Sequence, residues 1–535
     1  MTGKQTLSKT VIVCDKFDAE GVARLKAHPG LNVLYEGGYK RDALLALLPQ
    51  ANGLIIRSAT TVDKEILEKA PQLELVIRAG VGVDNIDIQE ASRRGVIVMN
   101  APGGNSVSTA EQALALLFAT ARHTPQANAS MKQGAWEKSK FKGVELTGKT
   151  LGVVGLGRIG KEVVKRARGL GMNVIGFDPY IPSENLAHLE IDLVTREDLI
   201  RQADFITVHT PLTESTMDFI NKDNLKELKD GVRLINAARG GIYNEEALAI
   251  GLETGKIKAV ALDVFTSEPP PEDFPLKKFD NCIMTPHLGA STGDAEFAVA
   301  MESVDELIDF FDRGIARNAL NFPTIDPDSM DYLKPYFSGG QGIGKLLASM
   351  CPDFRTIEFH YRGDIAGYMV QPVTTSILFG ALTVSMGDEV NLVNAPMIAR
   401  DRGVQIVEDK NTQAEGFSSY VHVIFKNKAG EKAELRYTAI NRTPLVFSLS
   451  NLPLEFRPEG VLLILKNHDR PRVVGNVGNF LADHDVNIAD MELGRAEKGG
   501  MAHCVITVDQ LLPPEVLGRL QQQENITYAV QVDLR

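Results

Sequence analysis

Lys149-Thr-Leu-Gly-Val-Val-Gly-Leu-Gly-Arg-Ile-Gly160 is the stretch on which the fold turns. The apolar run Leu151 to Val154 reads as a buried parallel strand. It breaks directly into Gly155-x-Gly157-x-x-Gly160, and residues 161–171 have helical character. Gly155 permits the tight strand-to-helix turn, and Gly157 lets a pyrophosphate approach the backbone. Gly160 lets the helix pack close, with its positive N-terminal end toward the phosphates. A second strand, residues 173–177, ends in Asp178, near the position about 20 residues on where a carboxylate meets the adenosine ribose diol. A carboxylate there repels a 2′-phosphate, so the pattern predicts NAD rather than NADP.

On both sides of this turn apolar strands alternate with amphipathic helices. Upstream, residues 11–14, 32–35, 53–56, 75–77 and 96–99 read as strands, with helices at 20–28, 41–48, 64–69 and 88–94. Downstream, strands are expected at 205–208, 233–236, 259–263 and 282–284. The alternation predicts two doubly wound parallel sheets in an α/β fold, of which only the second carries the glycine turn. Residues 106–131 read as one long helix from the first layer to the second, with Ser106 as N-cap, and residues 291–313 as the helix that returns. The first domain is then discontinuous, residues 1–105 and 292–325, and it encloses a nucleotide-binding Rossmann domain of residues 106–291.

A segment rich in Pro and Asp, residues 322–331, marks a boundary. Past it the period changes. Residues 356–361, 420–426 and 432–439 read as strands, the last two turning at Ala429-Gly430. With a helix at 372–386, they form a small α+β domain over residues 326–452. From 453 to 535 the order is strand-helix-strand-strand-helix-strand, the ferredoxin-like arrangement. No internal repeat or low-complexity segment is present.

At 535 residues the chain has room for three or four domains of about 150 residues. A net charge of −12 argues against nucleic acid or an anionic membrane as a general partner, so an anionic substrate needs a local basic pocket. Cys14, Cys282, Cys351 and Cys504 lie far apart, without zinc or redox spacing, and the three that fall in expected buried strands read as core residues. The first ten residues lack the apolar core of a signal peptide, and residues 374–386 are too short to span a membrane. A cytoplasmic protein without a metal is expected.

Four polar landmarks fall at strand ends of the nucleotide layer, where such sheets bind ligands. They are Arg239, Asp263, Glu268 and His287. Hydride transfer from a 2-hydroxy acid needs a base for the hydroxyl proton, a cation for the carboxylate and a fixed nicotinamide. His287 titrates in the right range to be the base. Glu268 suits the far ring nitrogen of that histidine, and the planar fork of Arg239 matches a carboxylate. Asp263 is expected at the carboxamide.

These blocks resemble the D-isomer-specific 2-hydroxyacid dehydrogenases. The matching segments are Gly155-Leu-Gly-Arg-Ile-Gly160, Leu234-Ile-Asn-Ala-Ala-Arg-Gly-Gly241, Ala261-Leu-Asp-Val-Phe265 and Thr285-Pro-His-Leu-Gly-Ala-Ser-Thr292. Ile56-Arg-Ser-Ala-Thr-Thr-Val62, Arg78-Ala-Gly-Val-Gly-Val-Asp-Asn-Ile-Asp87 and Met99-Asn-Ala-Pro-Gly-Gly-Asn-Ser106, with the two-part C-terminal extension, narrow this to a long form that oxidises 3-phosphoglycerate. The resemblance implies Arg239, Glu268 and His287 as the catalytic trio. It implies Arg158, Ile159, Asp178, Thr210, Pro211, Ala237, Asp263 and Val81 around the cofactor, and Arg57, Ser58, Gly82 and Asn105 around the substrate. Arg57 is the expected phosphate ligand. A lysine after Trp136 is expected to reach a neighbouring subunit's site, Lys138 first, with Lys140 and Lys142 as rivals.

The last unit resembles an ACT domain through Lys466-Asn-His-Asp-Arg-Pro471 and Asp485-Val-Asn-Ile488, with Arg472 where that family has Gly. The resemblance implies a homo-oligomer, a dimer or tetramer, with an effector pocket at its interface. Asp469 and Asn487 are expected there, with L-serine as a possible ligand. Residues 326–452 resemble the intervening regulatory domain of the long forms. Two other readings of the chain are a glyoxylate or hydroxypyruvate reductase and a non-catalytic NAD-sensing regulator.

Overall fold

The computed structural model describes residues 8–181, 189–323 and 327–535. The expectation for the first ten residues therefore falls largely outside the described residues, as does the middle of the expected linker.

The first sheet has five parallel strands in the order β2-β1-β3-β4-β5, formed by β1 (Lys9–Val13), β2 (Leu31–Leu34), β3 (Gly53–Ile56), β4 (Leu75–Arg78) and β5 (Ile97–Asn100). Its strands are near-continuous apolar runs because helices cover both faces. These are α1 (Ala19–Ala27), α2 (Arg41–Leu47), α3 (Lys64–Lys69) and α4 (Ile88–Arg93). Strand order reverses at β1, which pairs with β2 on one side and β3 on the other, so a crevice opens beyond Val13 and Ile56.

The chain then crosses through α5 (Ser106–Arg122) and α6 (Thr124–Lys132) to a seven-stranded parallel sheet. The single helix expected over 106–131 is two. His123 is left-handed, with φ 53°, and Pro125 starts the second helix. Pro125 has no N–H for the Ala121 carbonyl, and that carbonyl accepts the Val144 amide at 3.0 Å instead. The cap position is also one residue earlier than expected: Asn105 stands there, and Ser106 is already helical.

The second sheet runs β12-β11-β10-β9-β6-β7-β8. Its strands are β6 (Thr150–Val154), β7 (Asn173–Phe177), β8 (Asp192–Leu193), β9 (Phe205–Val208), β10 (Val232–Asn236), β11 (Ile257–Leu262) and β12 (Cys282–Met284). Helices α7 (Arg158–Gly169), α8 (Arg196–Gln202) and α9 (Glu245–Glu253) complete the layer, and α10 (Gly293–Arg313) returns to the first sheet. The order reverses at β6, between β7 and β9, so the second crevice opens at the glycine turn.

The expected linker is cut short by α11 (Pro327–Met350), which the sequence reading did not foresee. α11 packs against α12 (Gln371–Met386) on a six-stranded sheet ordered β14-β13-β15-β16-β17-β18. The strands are β13 (Phe354–Gly363), β14 (Gln405–Asn411), β15 (Ser419–Asn427), β16 (Lys432–Ile440), β17 (Thr443–Leu449) and β18 (Leu452–Phe456), and α13 (Ala395–Asp401) precedes β14. The expected boundary after residue 452 falls inside β18, whose Leu452 and Pro453 pair with β17. This sheet therefore continues to Phe456. Asn394 of the same unit donates to the Arg93 carbonyl at 3.1 Å, which docks it on the first lobe.

The last sheet, β20-β21-β19-β22, is antiparallel and has the expected ferredoxin-like order. It comprises β19 (Val461–His468), α14 (Val473–Ala482), β20 (Ile488–Arg495), β21 (Met501–Val508), α15 (Pro514–Gln521) and β22 (Ile526–Asp533). Arg472 caps α14 at φ 73°, a left-handed position where glycine is free of strain. Among the described residues, no helix is long and apolar enough to cross a membrane.

Candidate active site

A cleft of about 520 Å³ lies between the lobes, at the crevice of the first sheet and below the loop that follows β12. Arg57, Ser58 and Asn105 line it from the first lobe, and Glu268 and His287 from the second. His287 follows β12, where Pro286 and a left-handed backbone (φ 55°) turn the ring outward. Its Nδ1 lies 2.7 Å from Oε2 of Glu268, and the other oxygen of that carboxylate accepts the Phe265 amide at 3.1 Å.

Asp263 is fully buried behind this pair. Its oxygens accept the Leu288 and Gly289 amides, both at 2.8 Å, and the Thr285 hydroxyl at 2.5 Å. The carboxylate expected at the carboxamide is thus engaged by the loop that carries His287.

Arg239 stands beside the cleft rather than on its wall. Asn236 Nδ2 donates to the Arg239 carbonyl at 2.7 Å and stitches the turn that presents it. The Arg239 guanidinium lies against Gly82, leaving no room there for a Cβ, and its Nε donates to Asp84 at 2.9 Å. Val81 is held next to this contact by Asn100, at 2.6 Å to its carbonyl.

Arg78, the last residue of β4, also lies on the cleft wall, a position its sequence block does not announce. Its Nε is buried without a partner. Burial, with Arg239 and Arg57 nearby, pushes its guanidinium down to about 10. The available signal was a charged residue closing an otherwise apolar parallel strand. Arg57 and Arg78 line the cleft and Arg239 stands near enough to act on Arg78, the local positive charge that an acidic protein needs for an anionic substrate.

The glycine turn fits a dinucleotide. Gly155 is left-handed (φ 88°), and a Cβ on it would lie 2.6 Å from the His209 carbonyl. A Cβ on Gly160 would strike the Gly155 carbonyl, whereas one on Gly157 meets nothing within 4 Å. The space at Gly157 is therefore free for a ligand. Arg158 and Ile159 open α7 at this turn, and Asp178 closes β7 and accepts the Leu156 amide at 2.9 Å. Pro211 and Thr210 follow β9, and Ala237 closes β10. The Thr210 hydroxyl and His209 Nδ1 are buried without partners beside the turn. Burial lowers His209 to about 4, so its ring is neutral.

Three expected residues lie elsewhere. Lys138 sits in a short exposed turn next to Trp136, which is 81% exposed, and it does not line the cleft. Asp469 and Asn487 fall at opposite ends of their sheet, because α14 carries the chain back between them. Ile488 aligns through β21 with Val461, the far end of β19 from Asp469, about 26 Å away at strand rise. Asp469 accepts Gly499 N–H at 2.9 Å and Arg495 at 2.6 Å, and these hold its carboxyl below the usual range. Asn487 donates to Asp509 at 2.8 Å. One chain alone does not bring the two together.

Comparison with known proteins adds three family matches. Residues 114–289 match the D-isomer specific 2-hydroxyacid dehydrogenase NAD binding domain, residues 332–438 the D-3-phosphoglycerate dehydrogenase intervening domain, and residues 461–525 the ACT domain. The chain is 39% identical to D-3-phosphoglycerate dehydrogenase of Methanocaldococcus jannaschii, over 93% of this chain and 95% of that one. It is 37% identical to the enzyme of that name from Archaeoglobus fulgidus, over 98% of this chain and 100% of the other. The crystal structure of D-lactate dehydrogenase from Aquifex aeolicus, complexed with NAD and lactic acid, superimposes with a TM-score of 0.52 at 26% identity, over 59% of this chain and 100% of that one.

Proposed function

The chain belongs to the D-isomer-specific 2-hydroxyacid dehydrogenases, among them to the D-3-phosphoglycerate dehydrogenases, and from that premise we propose how its cleft works. It is an NAD-dependent oxidoreductase that converts 3-phospho-D-glycerate to 3-phosphooxypyruvate, the first step toward L-serine. Bound NAD supplies the hydride acceptor. The observation that carries the assignment of roles is the His287–Glu268 pair at 2.7 Å on a cleft flanked by three arginines.

With Nδ1 bonded to Glu268, Nε2 of His287 is the atom free to take the 2-hydroxyl proton. The imidazolium that forms is stabilised by the adjacent carboxylate. Arg239 exchanges Asp84 for the substrate carboxylate and polarises the developing carbonyl next to the Val81-Gly82 backbone. Arg57, Ser58 and Arg78 take the phosphate, and Asn105 closes the cleft at the root of α5. Gly155, Gly157, Arg158, Ile159 and Gly160 cradle the pyrophosphate, while Asp178 reads the ribose diol. Thr210, Pro211 and Ala237 would frame the nicotinamide end, with Asp263 buried behind them holding the His287 loop.

The exposed Trp136 and Met131 beside Lys138 support a homo-oligomer in which Lys138 enters a second copy's cleft. The ACT domain binds an amino-acid effector, L-serine in this reading. Because Asp469 and Asn487 lie apart within one chain, the pocket joins Asp469 of one copy to Asn487 of another. Four free, buried cysteines support a cytoplasmic site of action.

His287→Ala tests the core of the reading. Turnover of 3-phosphoglycerate is expected to fall at least about 10²-fold while NAD still binds, as read by NADH formation and by cofactor fluorescence. Near-normal turnover in this variant removes His287 as the base.

A further inference from the structure

We propose that Asp15 and Asn85 are positioning residues that clamp the loop Arg57 to Thr60 from opposite sides and so set where the phosphate end of the substrate lies. The inference rests on the reading of Arg57 as a phosphate ligand.

The loop leaves β3 with no sheet or helix to satisfy its backbone, and such groups need partners when they are shielded from water. Asp15, just beyond β1 and 7% exposed, supplies the acceptors. Its Oδ2 takes the Arg57 amide at 2.5 Å and the Thr60 amide at 3.3 Å, and its Oδ1 takes the Thr60 hydroxyl at 2.6 Å. Asn85 supplies the donors. Its Nδ2 reaches the carbonyls of the same two residues, Arg57 at 2.7 Å and Thr60 at 2.6 Å. Both ends of the loop are therefore pinned at N–H and at C=O, by one side chain just beyond β1 and one from the loop between β4 and α4. Arg57 and Ser58, which lie between the pins, are the part that faces the cleft.

Asn85 is also the neighbour of Asp84, the partner of Arg239. One turn thus parks the guanidinium assigned to the carboxylate on Asp84 until substrate displaces it, and through the next residue holds the loop assigned to the phosphate. Asp15 adds a charge as well as a hinge pin, because its carboxylate acts on Arg78 against the mutual repulsion of the three arginines.

A double-mutant cycle on the full-length enzyme tests the clamp. Asp15→Asn turns one acceptor into a donor facing a backbone N–H. KM for 3-phosphoglycerate is expected to rise tenfold or more, with kcat within about twofold and KM for NAD unchanged. In an Arg57→Ala background the same substitution is expected to add less than twofold. Thr60→Val, which deletes only the hydroxyl bonded to Asp15, is expected to raise KM several-fold, with Thr60→Ser restoring it. Thr60→Val thus reads the clamp even if Asp15→Asn does not fold. If the effect on KM is as large with Arg57 absent as with it present, or if kcat falls in step with the rise in KM, the clamp is overturned. If Arg57→Ala alone leaves KM unchanged, the phosphate reading of Arg57 fails and takes the clamp with it.

Discussion

Oε2 of Glu268 sits 2.7 Å from Nδ1 of His287, while its companion oxygen is bound to the Phe265 amide. The acid that selects the histidine's tautomer is itself pinned to backbone, so the ring has one orientation toward the cleft. Glu268→Gln preserves shape and removes the charge. We expect kcat to fall about 10²- to 10⁴-fold, with NAD affinity retained in a fluorescence titration. A rate within tenfold of the parent would mean that the stabilising charge comes from another residue.

Asp263 never touches the His287 ring, yet it holds the amides of the two residues that follow it. His287 is left-handed, a conformation that costs roughly 1–3 kcal/mol outside glycine and persists only when its surroundings impose it. Asp263→Asn puts an amide donor against one of those N–H groups. Losing such a buried bond costs about 1–3 kcal/mol, so kcat/KM for 3-phosphoglycerate should drop roughly 10- to 100-fold. Unaltered steady-state constants would show that the loop holds itself.

Two glycines of one turn should behave differently. Gly160→Ala collides with the Gly155 carbonyl, so the thermal midpoint should fall and NAD binding should be lost with it. Gly157→Ala meets no protein atom within 4 Å, so the midpoint should stay near that of the parent while NAD affinity falls tenfold or more. Calorimetry alongside cofactor titration separates them, and a Gly157→Ala chain with normal affinity would remove the pyrophosphate from that spot.

Arg57 already has a partner on the cleft wall, Glu296 at 2.9 Å, in the first turn of α10. A substrate phosphate must compete with that carboxylate. Glu296→Gln is therefore expected to lower KM for 3-phosphoglycerate two- to fivefold, an effect of about 1 kcal/mol or less for so open an ion pair. The effect should fade in high salt. A raised KM would make Glu296 a supporter of the site rather than a competitor.

The crossing helix α10 carries a pH-dependent liability. Glu306 is 3% exposed, and burial pushes its carboxyl up to about 7 from an ordinary 4.5, with the Asn318 hydrogen bond opposing and Glu302 adding to the rise. The folded chain therefore holds this proton more tightly than the unfolded chain does. Stability is fully present below pH 4.5 and is lost as pH climbs through 7, by up to about 3 kcal/mol. Glu306→Gln keeps an acceptor for Asn318 and cannot ionise. Its thermal midpoint should exceed the parent's at pH 8 and match it near pH 5. Parallel midpoints across that range would contradict the assignment.

The two parallel layers and the glycine turn were legible in the residues because local rules governed them. Strands buried on both faces read as unbroken apolar runs, and a dinucleotide turn needs glycines at fixed offsets. Ligand residues then fall just past strand ends. The sequence was least informative where a residue's meaning depended on a distant surface. Gly340 and Gly344 lie inside α11, where a Cβ on Gly340 would come 2.8 Å from Ser376 of α12 and one on Gly344 would strike the Ile377 carbonyl. β14, exposed along its whole length, carries no periodicity to find and exists because β13 pairs with it.

The same division holds within the site. Sequence by itself placed an imidazole, a carboxylate and a guanidinium after strands of the nucleotide layer, and the folded chain puts Glu268 and His287 on the cleft wall with Arg239 beside it. Only the tertiary structure decided that Asp263 serves the histidine loop and that Arg78 joins Arg57 and Arg239. It also decided that Asp469 and Asn487 stand a strand's length apart. Those outcomes depend on which buried groups find partners across hundreds of residues of chain, and packing alone settles that.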